Sequence, residues 1–162
     1  MRIDDKELFR KAKESALSYL GYRARTRKEI ALKLADYPNE VVNDVLTMLE
    51  EYNYIDDLAF AKNYVESRVR NKGYGKFRLN RELREKGVEA VIIETVLSEL
   101  DFDEVVEATR KLQHKASGAL TEKDKKRYSD YLLRQGFGYD VIEQAFKEYE
   151  EPSTNRQITS SH

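Results

Sequence analysis

The chain has 162 residues, 36% of them charged and 40% hydrophobic, with a net charge of -1 and a mean hydropathy of -0.76. It holds no cysteine, which excludes disulfides and thiolate metal sites, and its two prolines and seven glycines are too few for the turns of a multi-stranded sheet. The opening MRIDDKELFRK carries no apolar stretch of the secretory kind and no apolar run is long enough to span a bilayer, so a cytoplasmic location is expected.

Read in chain order, the predicted elements come in threes. The first repeat, residues 1–55, opens on a helix over 6–23 (KELFRKAKESALSYLGYR), continues with a short helix around IALKLADYP (30–38) and closes on EVVNDVLTMLEEY (40–52). Thr26 and Glu29 form a capping box before the second of these, and Pro38 stops it. The second repeat, 56–101, reads DDLAFAKNYVESRVRNK (56–72), LNRELREKGV (79–88) and AVIIETVLSEL (90–100), with Asp56 or Asp57 at the N-cap and Gly87 at the turn. The third, 102–150, reads DEVVEATRKLQHKA (103–116), YSDYLLRQGF (128–137) and DVIEQAFKEY (140–149), with Asp103 as a cap, Thr121 and Asp124 as an acidic capping box, and Gly136 at the turn. The remainder, EPSTNRQITSSH (151–162), has no periodicity and is expected to be a disordered tail.

Two patterns support the triplication. In the third helices Val41, Ile92 and Val141 correspond, then Val42, Ile93 and Ile142, Val45, Val96 and Ala145, and Leu46, Leu97 and Phe146, one wide helical face. In the second helices Ile30, Leu79 and Tyr128 correspond, as do Leu34, Leu83 and Leu132. Charge cycles in step. Residues 1–35 hold ten basic against five acidic side chains, 36–61 none against seven, 62–88 nine against three, 89–108 none against seven, and 109–136 eight against three. Units of this size each bury a small core and complete it against a neighbour, so the expected fold is all-α, three tandem three-helix repeats forming a short curved solenoid.

The basic blocks mark the candidate contact residues. The stretch RNKGYGKFR (70–78) is not a nucleotide-binding loop, since it lacks the G-x-x-x-x-G-K-[ST] spacing and no strand precedes it. It reads instead as a turn in which Gly73 ends one helix and Gly75 begins the next, throwing Arg70, Lys72, Lys76 and Arg78 outward. Arg68, Arg81, Arg84 and Lys86 extend this patch, and Tyr74, between the two glycines, is expected to be exposed for stacking on a base or a partner. Equivalent turns carry Arg23, Arg25, Arg27 and Lys28 in the first repeat and Lys123, Lys125, Lys126 and Arg127 in the third. With the repeats stacked in similar orientation these turns form a row suited to a phosphate backbone or an acidic filament groove. The acidic third helices read as solvated faces, and His114 as a solvated helix position. Neither a metal, a cofactor nor a catalytic residue is expected.

The blocks ALSYLGYRARTRKEIALKL (16–34), YIDDLAFAKNYVESRV (54–69), GKFRLNRELREKGV (75–88) and GFGYDVIEQAF (136–146) resemble the RecX family of bacterial recombination regulators over about residues 12–150. The most specific piece is Tyr54-Ile55-Asp56-Asp57, then Phe60-Ala61, Tyr64-Val65 and Arg68, followed by the basic glycine turn and Glu82-Leu83 to Gly87-Val88. The chain departs from the family pattern at ADYP (35–38), which lacks a glycine, and at a longer loop, SGALTEK. The resemblance implies a non-enzymatic modulator that lodges in the groove of the RecA filament on DNA and restrains its ATPase and strand exchange, with direct DNA contact in some members; single- or double-stranded DNA is a further expected partner, and a monomer is expected. The alternative is a stand-alone nucleic-acid-binding module acting through its basic face, although the second helices lack side chains spaced to read base edges.

Overall fold

A computed structural model of the chain describes residues 3–152. Among these residues there are nine helices and no strand: α1 (Ile3–Leu20), α2 (Arg27–Lys33), α3 (Asn39–Glu51), α4 (Asp57–Lys72), α5 (Lys76–Glu85), α6 (Ala90–Glu99), α7 (Glu104–Lys115), α8 (Glu122–Gln135) and α9 (Tyr139–Glu150). The all-α expectation therefore holds. None of these helices is long and apolar enough to cross a membrane. From residue 153 on, the expected tail lies outside the described residues.

Local chemistry sets most boundaries. The Thr26 hydroxyl accepts the Glu29 amide at 3.1 Å while the Glu29 carboxylate receives the Thr26 amide at 3.5 Å, a complete capping box for α2. Thr121 and Asp124 form the same reciprocal pair for α8, at 3.1 Å in both directions. Asp103 caps α7 through the Val106 amide, and Asp56, not Asp57, plays that part for α4 through the Ala59 amide, each at 3.1 Å. The second helices were expected to be short, and α2 has seven residues, but α8 has fourteen. Its box sits two turns ahead of the core-facing Tyr128, so the well-capped, Lys- and Glu-rich segment between them is helical as well.

The chain divides into two compact units. One carries the residues up to Val65 together with Glu82–Glu99; the other carries Glu66–Arg81 together with the chain from Leu100 onward. The boundary falls inside α4 and inside α5, so the middle repeat is shared between the units. In the first unit α1 packs on α3, with α2 against both. Its core joins Ala12 and Ala16 of α1 to Ile30 and Leu34 of α2 and to Val42, Val45, Leu46 and Leu49 of α3, the two alanines allowing close helix approach. In the second unit α7 packs along α9 and α8 against α9, around Ala108, Leu112, Tyr128, Leu132, Phe137, Ile142 and Ala145. The same sequence positions are thus buried in both. Truncating a fully buried leucine such as Leu34 or Leu132 removes about 2–5 kcal/mol of stability.

Candidate functional site

Two joints between neighbouring repeats, one in each unit, position the basic side chains. Both bring the N-terminus of one repeat's second helix against the turn that ends the next repeat's second helix. In the first unit, the Thr26 hydroxyl donates to the Lys86 carbonyl at 2.6 Å, and Thr26 is fully buried. The Arg27 amide, first in α2, donates to the Asp57 carboxylate at 3.0 Å, so Asp57 caps a helix other than its own. Gly87 has φ +85°, and its α-carbon lies under the aliphatic stem of Lys28.

In the second unit the corresponding contacts are made by backbone. The Gly75 amide donates to the Gln135 carbonyl at 2.9 Å and the Phe77 amide to the Gly136 carbonyl at 3.0 Å. The Lys76 amide, first in α5, donates to Glu104 at 3.1 Å, the counterpart of Asp57. A β-carbon on Gly75 would stand 2.3 Å from the Gly136 carbonyl oxygen, and one on Gly136, whose φ is +103°, would stand 2.4 Å from Cβ of Arg78. Both turns are glycine because two backbones touch there. At ADYP the turn is exposed at Ala35, Asp36 and Pro38, and no such glycine is needed.

The RNKGYGKFR turn therefore differs in part from expectation. Gly73 and Gly75 are buried, and their amides are already used, Gly73 by the Arg68 and Val69 carbonyls and Gly75 by Gln135, so neither glycine amide is left for phosphate. Arg70 and Lys72 do point outward, but Lys76 and Arg78 are half-buried. Tyr74 is half-buried too, not exposed: the Arg78 guanidinium lies 3.6 Å from its ring centroid and donates to the Arg134 carbonyl at 3.2 Å. Lys111 fastens the far side, donating to the Lys72 carbonyl at 2.8 Å and to Gln135 at 3.0 Å, and burial lowers its pKa below the ordinary lysine value.

The remaining candidates sort by their partners. In the first unit Arg23 is paired with Glu29 at 2.7 Å, Arg27 with Glu50 at 2.6 Å, and Arg25 is stacked 3.7 Å from the centre of Tyr19, its Nε buried without a hydrogen-bond partner. Lys28 and Arg84 are exposed, and the half-buried Lys86 holds its ammonium 5.4 Å from the Tyr64 ring. In the second unit Arg68 is half-buried, and Arg81, Lys123 and Lys126 are exposed. Lys125 is tied to Glu150 at 3.0 Å, and Arg127 donates to the Tyr128 hydroxyl at 3.0 Å.

Two features escaped the sequence reading. Phe77 stands 71% exposed on the basic helix α5, its ring edge over Gly138, and Tyr139, which follows Gly138 in the chain, is 77% exposed. The signal was an apolar residue off the Leu79, Leu83 core period, between Lys76 and Arg78. The second feature is a groove of about 380 Å³ lined by Lys115, Arg127, Tyr128, Tyr131 and Arg134. Positions 127, 131 and 134 follow i, i+4, i+7 on α8, a stripe visible in the sequence, whereas the approach of Lys115 from α7 is tertiary.

Two family models match the chain, that for the first three-helix domain of RecX over residues 12–49 and that for the second over 56–97. Among curated proteins the chain is similar to the regulatory protein RecX of Prosthecochloris aestuarii, 37% identical over 142 residues, covering 86% of this chain and 93% of that one. It is also similar to the regulatory protein RecX of Bacillus licheniformis, 34% identical over 145 residues, covering 86% of this chain but 55% of the relative. The chain thus spans about half the length of such Bacillus relatives. Among solved structures the crystal structure of RecX from Lactobacillus salivarius superposes with a TM-score of 0.78 at 26% identity, over 90% of this chain and 98% of that one.

Proposed function

The chain belongs to the RecX family of regulatory proteins, and from that premise we propose that it acts by binding and not by chemistry, docking on the RecA recombinase filament in the cytoplasm and restraining its ATPase and strand exchange. The observation that carries this reading is Phe77. A large aromatic side chain 71% exposed among cations has the composition of an interface hot spot. The arginines and lysines of the same turn supply steering toward an acidic partner surface and make association salt-dependent. The names of the relatives, regulatory proteins throughout, agree with a regulator.

The reading is tested by titrating the protein onto preformed RecA filaments while ATP hydrolysis is followed. Wild-type protein should lower the hydrolysis rate, and Phe77→Ala should weaken half-maximal inhibition about tenfold or more, the scale of a hot-spot truncation. Because Phe77 is exposed, helicity by circular dichroism should be unchanged. A wild-type protein with no effect on the filament overturns the proposal.

A further inference from the structure

A second groove, of about 340 Å³, lies in the first unit where α3 gives way to α4. Four of its lining residues are acidic: Glu50 from the last turn of α3, Asp56 and Asp57 at the start of α4, and Glu89 just ahead of α6. Against them stands one lining cation, Arg27. The last turn of α3 carries no basic side chain, so the negative end of that helix adds to the excess. Burial first, and then the fields of Glu50 and Glu89, raise the Asp57 pKa above its ordinary value, so these carboxylates act on one another. The rest of the lining is largely apolar. Ile55, Leu58 and Ile92 contribute to it, and Leu58 is left 40% exposed. Tyr52 and Tyr54, on either side of the lining residue Asn53 in the chain, are 69% and 55% exposed.

We propose that this groove docks a basic segment of a partner protein, an arginine side chain meeting the carboxylates while an apolar neighbour rests on Leu58 and Ile92. Arg27 shows what the lining accepts, since its Nε donates to Glu50 at 2.6 Å and its amide to Asp57 at 3.0 Å. Asp56 and Asp57 each give one oxygen to a backbone amide, of Ala59 and Arg27, and keep a second as acceptor. Charge alone would attract any cation; the apolar lining narrows the choice. An arginine lays its methylene stem along such a surface and keeps its guanidinium at the charged rim. A metal ion fits less well: among the described residues no three acidic or histidine side chains are placed to hold one. Nucleic acid is repelled by the net negative lining, so this groove calls for a partner surface opposite in charge to the one the basic turn attracts.

This inference does not rest on the recombinase reading, and its test contains neither filament nor DNA, so the two fail separately. The full chain is titrated against a short fluorescein-labelled peptide of alternating arginine and leucine, read by anisotropy at low ionic strength. Wild type should bind it, and Glu50→Gln/Glu89→Gln should bind about tenfold more weakly, the combined effect of two exposed ion pairs. Glu94→Gln/Glu99→Gln, which removes the same charge from exposed positions on α6 outside the groove, should change affinity by less than about twofold. Leu58→Ser should weaken binding about threefold, and a peptide with serine in place of leucine should lose as much on wild type. All four glutamates are exposed, so these variants should keep wild-type helicity. Should Leu58→Ser fail to fold, the serine peptide tests the apolar lining without a variant. Absence of peptide binding overturns the proposal, as do equal losses in the two double variants, undiminished binding of the serine peptide, or displacement by spermine as effective as by unlabelled peptide at equal charge.

Discussion

At the first joint a threonine stands where the second joint has a glycine. Thr26 begins α2 by capping it with its own hydroxyl, and the same hydroxyl reaches the Lys86 carbonyl, so a side chain spans the space between two repeats. Gly75 begins α5 with no side chain at all, and its amide meets the Gln135 carbonyl directly, bringing the two backbones into contact. Both joints add a carboxylate from the next repeat's first helix, Asp57 onto Arg27 and Glu104 onto Lys76, to satisfy the first amide of the docked helix. One geometry is thus reached twice, once through a hydroxyl and once through the loss of a β-carbon. Substitutions should therefore act by overpacking at the second joint and by an unsatisfied carbonyl at the first.

The sharpest separation is expected from alanine at the glycines. Gly136→Ala combines a left-handed φ with a clash against the Arg78 backbone and Cβ, and Gly75→Ala drives a methyl into a carbonyl. Each should lose about 3 kcal/mol in urea denaturation, the sum of ordinary overpacking and backbone strain. Gly87→Ala shares the positive φ and would set its methyl 2.3 Å from Cβ of Lys28, but its nearest neighbours are side-chain atoms and not the backbone that Gly136 meets, so it should lose about 2 kcal/mol. Equal losses at Gly87 and Gly136 would erase the distinction between the joints.

Next in size comes Thr26→Ala, which removes a buried cap and leaves the Lys86 carbonyl without that donor. Its loss should be about 2 kcal/mol, against about 1 kcal/mol or less for Thr121→Ala, whose box is exposed and purely local. The smallest effect concerns charge. Burial, aided by the neighbouring carboxylates Glu50 and Glu89, raises the Asp57 pKa above the ordinary aspartate value despite the Arg27 amide. A carboxyl whose folded pKa is raised contributes stability that is complete below its unfolded pKa and is lost as pH rises through the folded one. Wild type should therefore gain relative to Asp57→Asn as pH is lowered from neutrality through the carboxylate range, and a ratio of stabilities flat with pH would reject this account.

Much of this was legible in the residues. The positions aligned across repeats at Ile30, Leu79 and Tyr128 and at Leu34, Leu83 and Leu132 are all buried, because helical period and burial are the same fact seen along and across a helix. The caps at Thr26, Asp103 and Thr121 were readable because a cap is satisfied within four residues. Between Asp56 and Asp57 the residues left the cap open; Asp56 takes it, and the role of Asp57 was not legible because its partner is thirty residues away. Tyr74 was misread as exposed although its partner Arg78 is only four residues on, since what holds the guanidinium over the ring is its bond to the Arg134 carbonyl, far along the chain.

The sequence by itself determined the helices, their threefold pattern and which faces are apolar, since all of these rest on spacing of a few residues and on caps that close locally. Only the tertiary structure decided which cations remain for a partner. Arg23, Arg27 and Lys125 are taken by carboxylates and Arg25, Arg78, Lys115 and Arg127 lie on tyrosine rings, while Lys28, Arg84, Lys123 and Lys126 stand exposed. A charge count sees each of these side chains alike. What distinguishes them is distance to a partner on another helix, and that distance exists only once the repeats have packed.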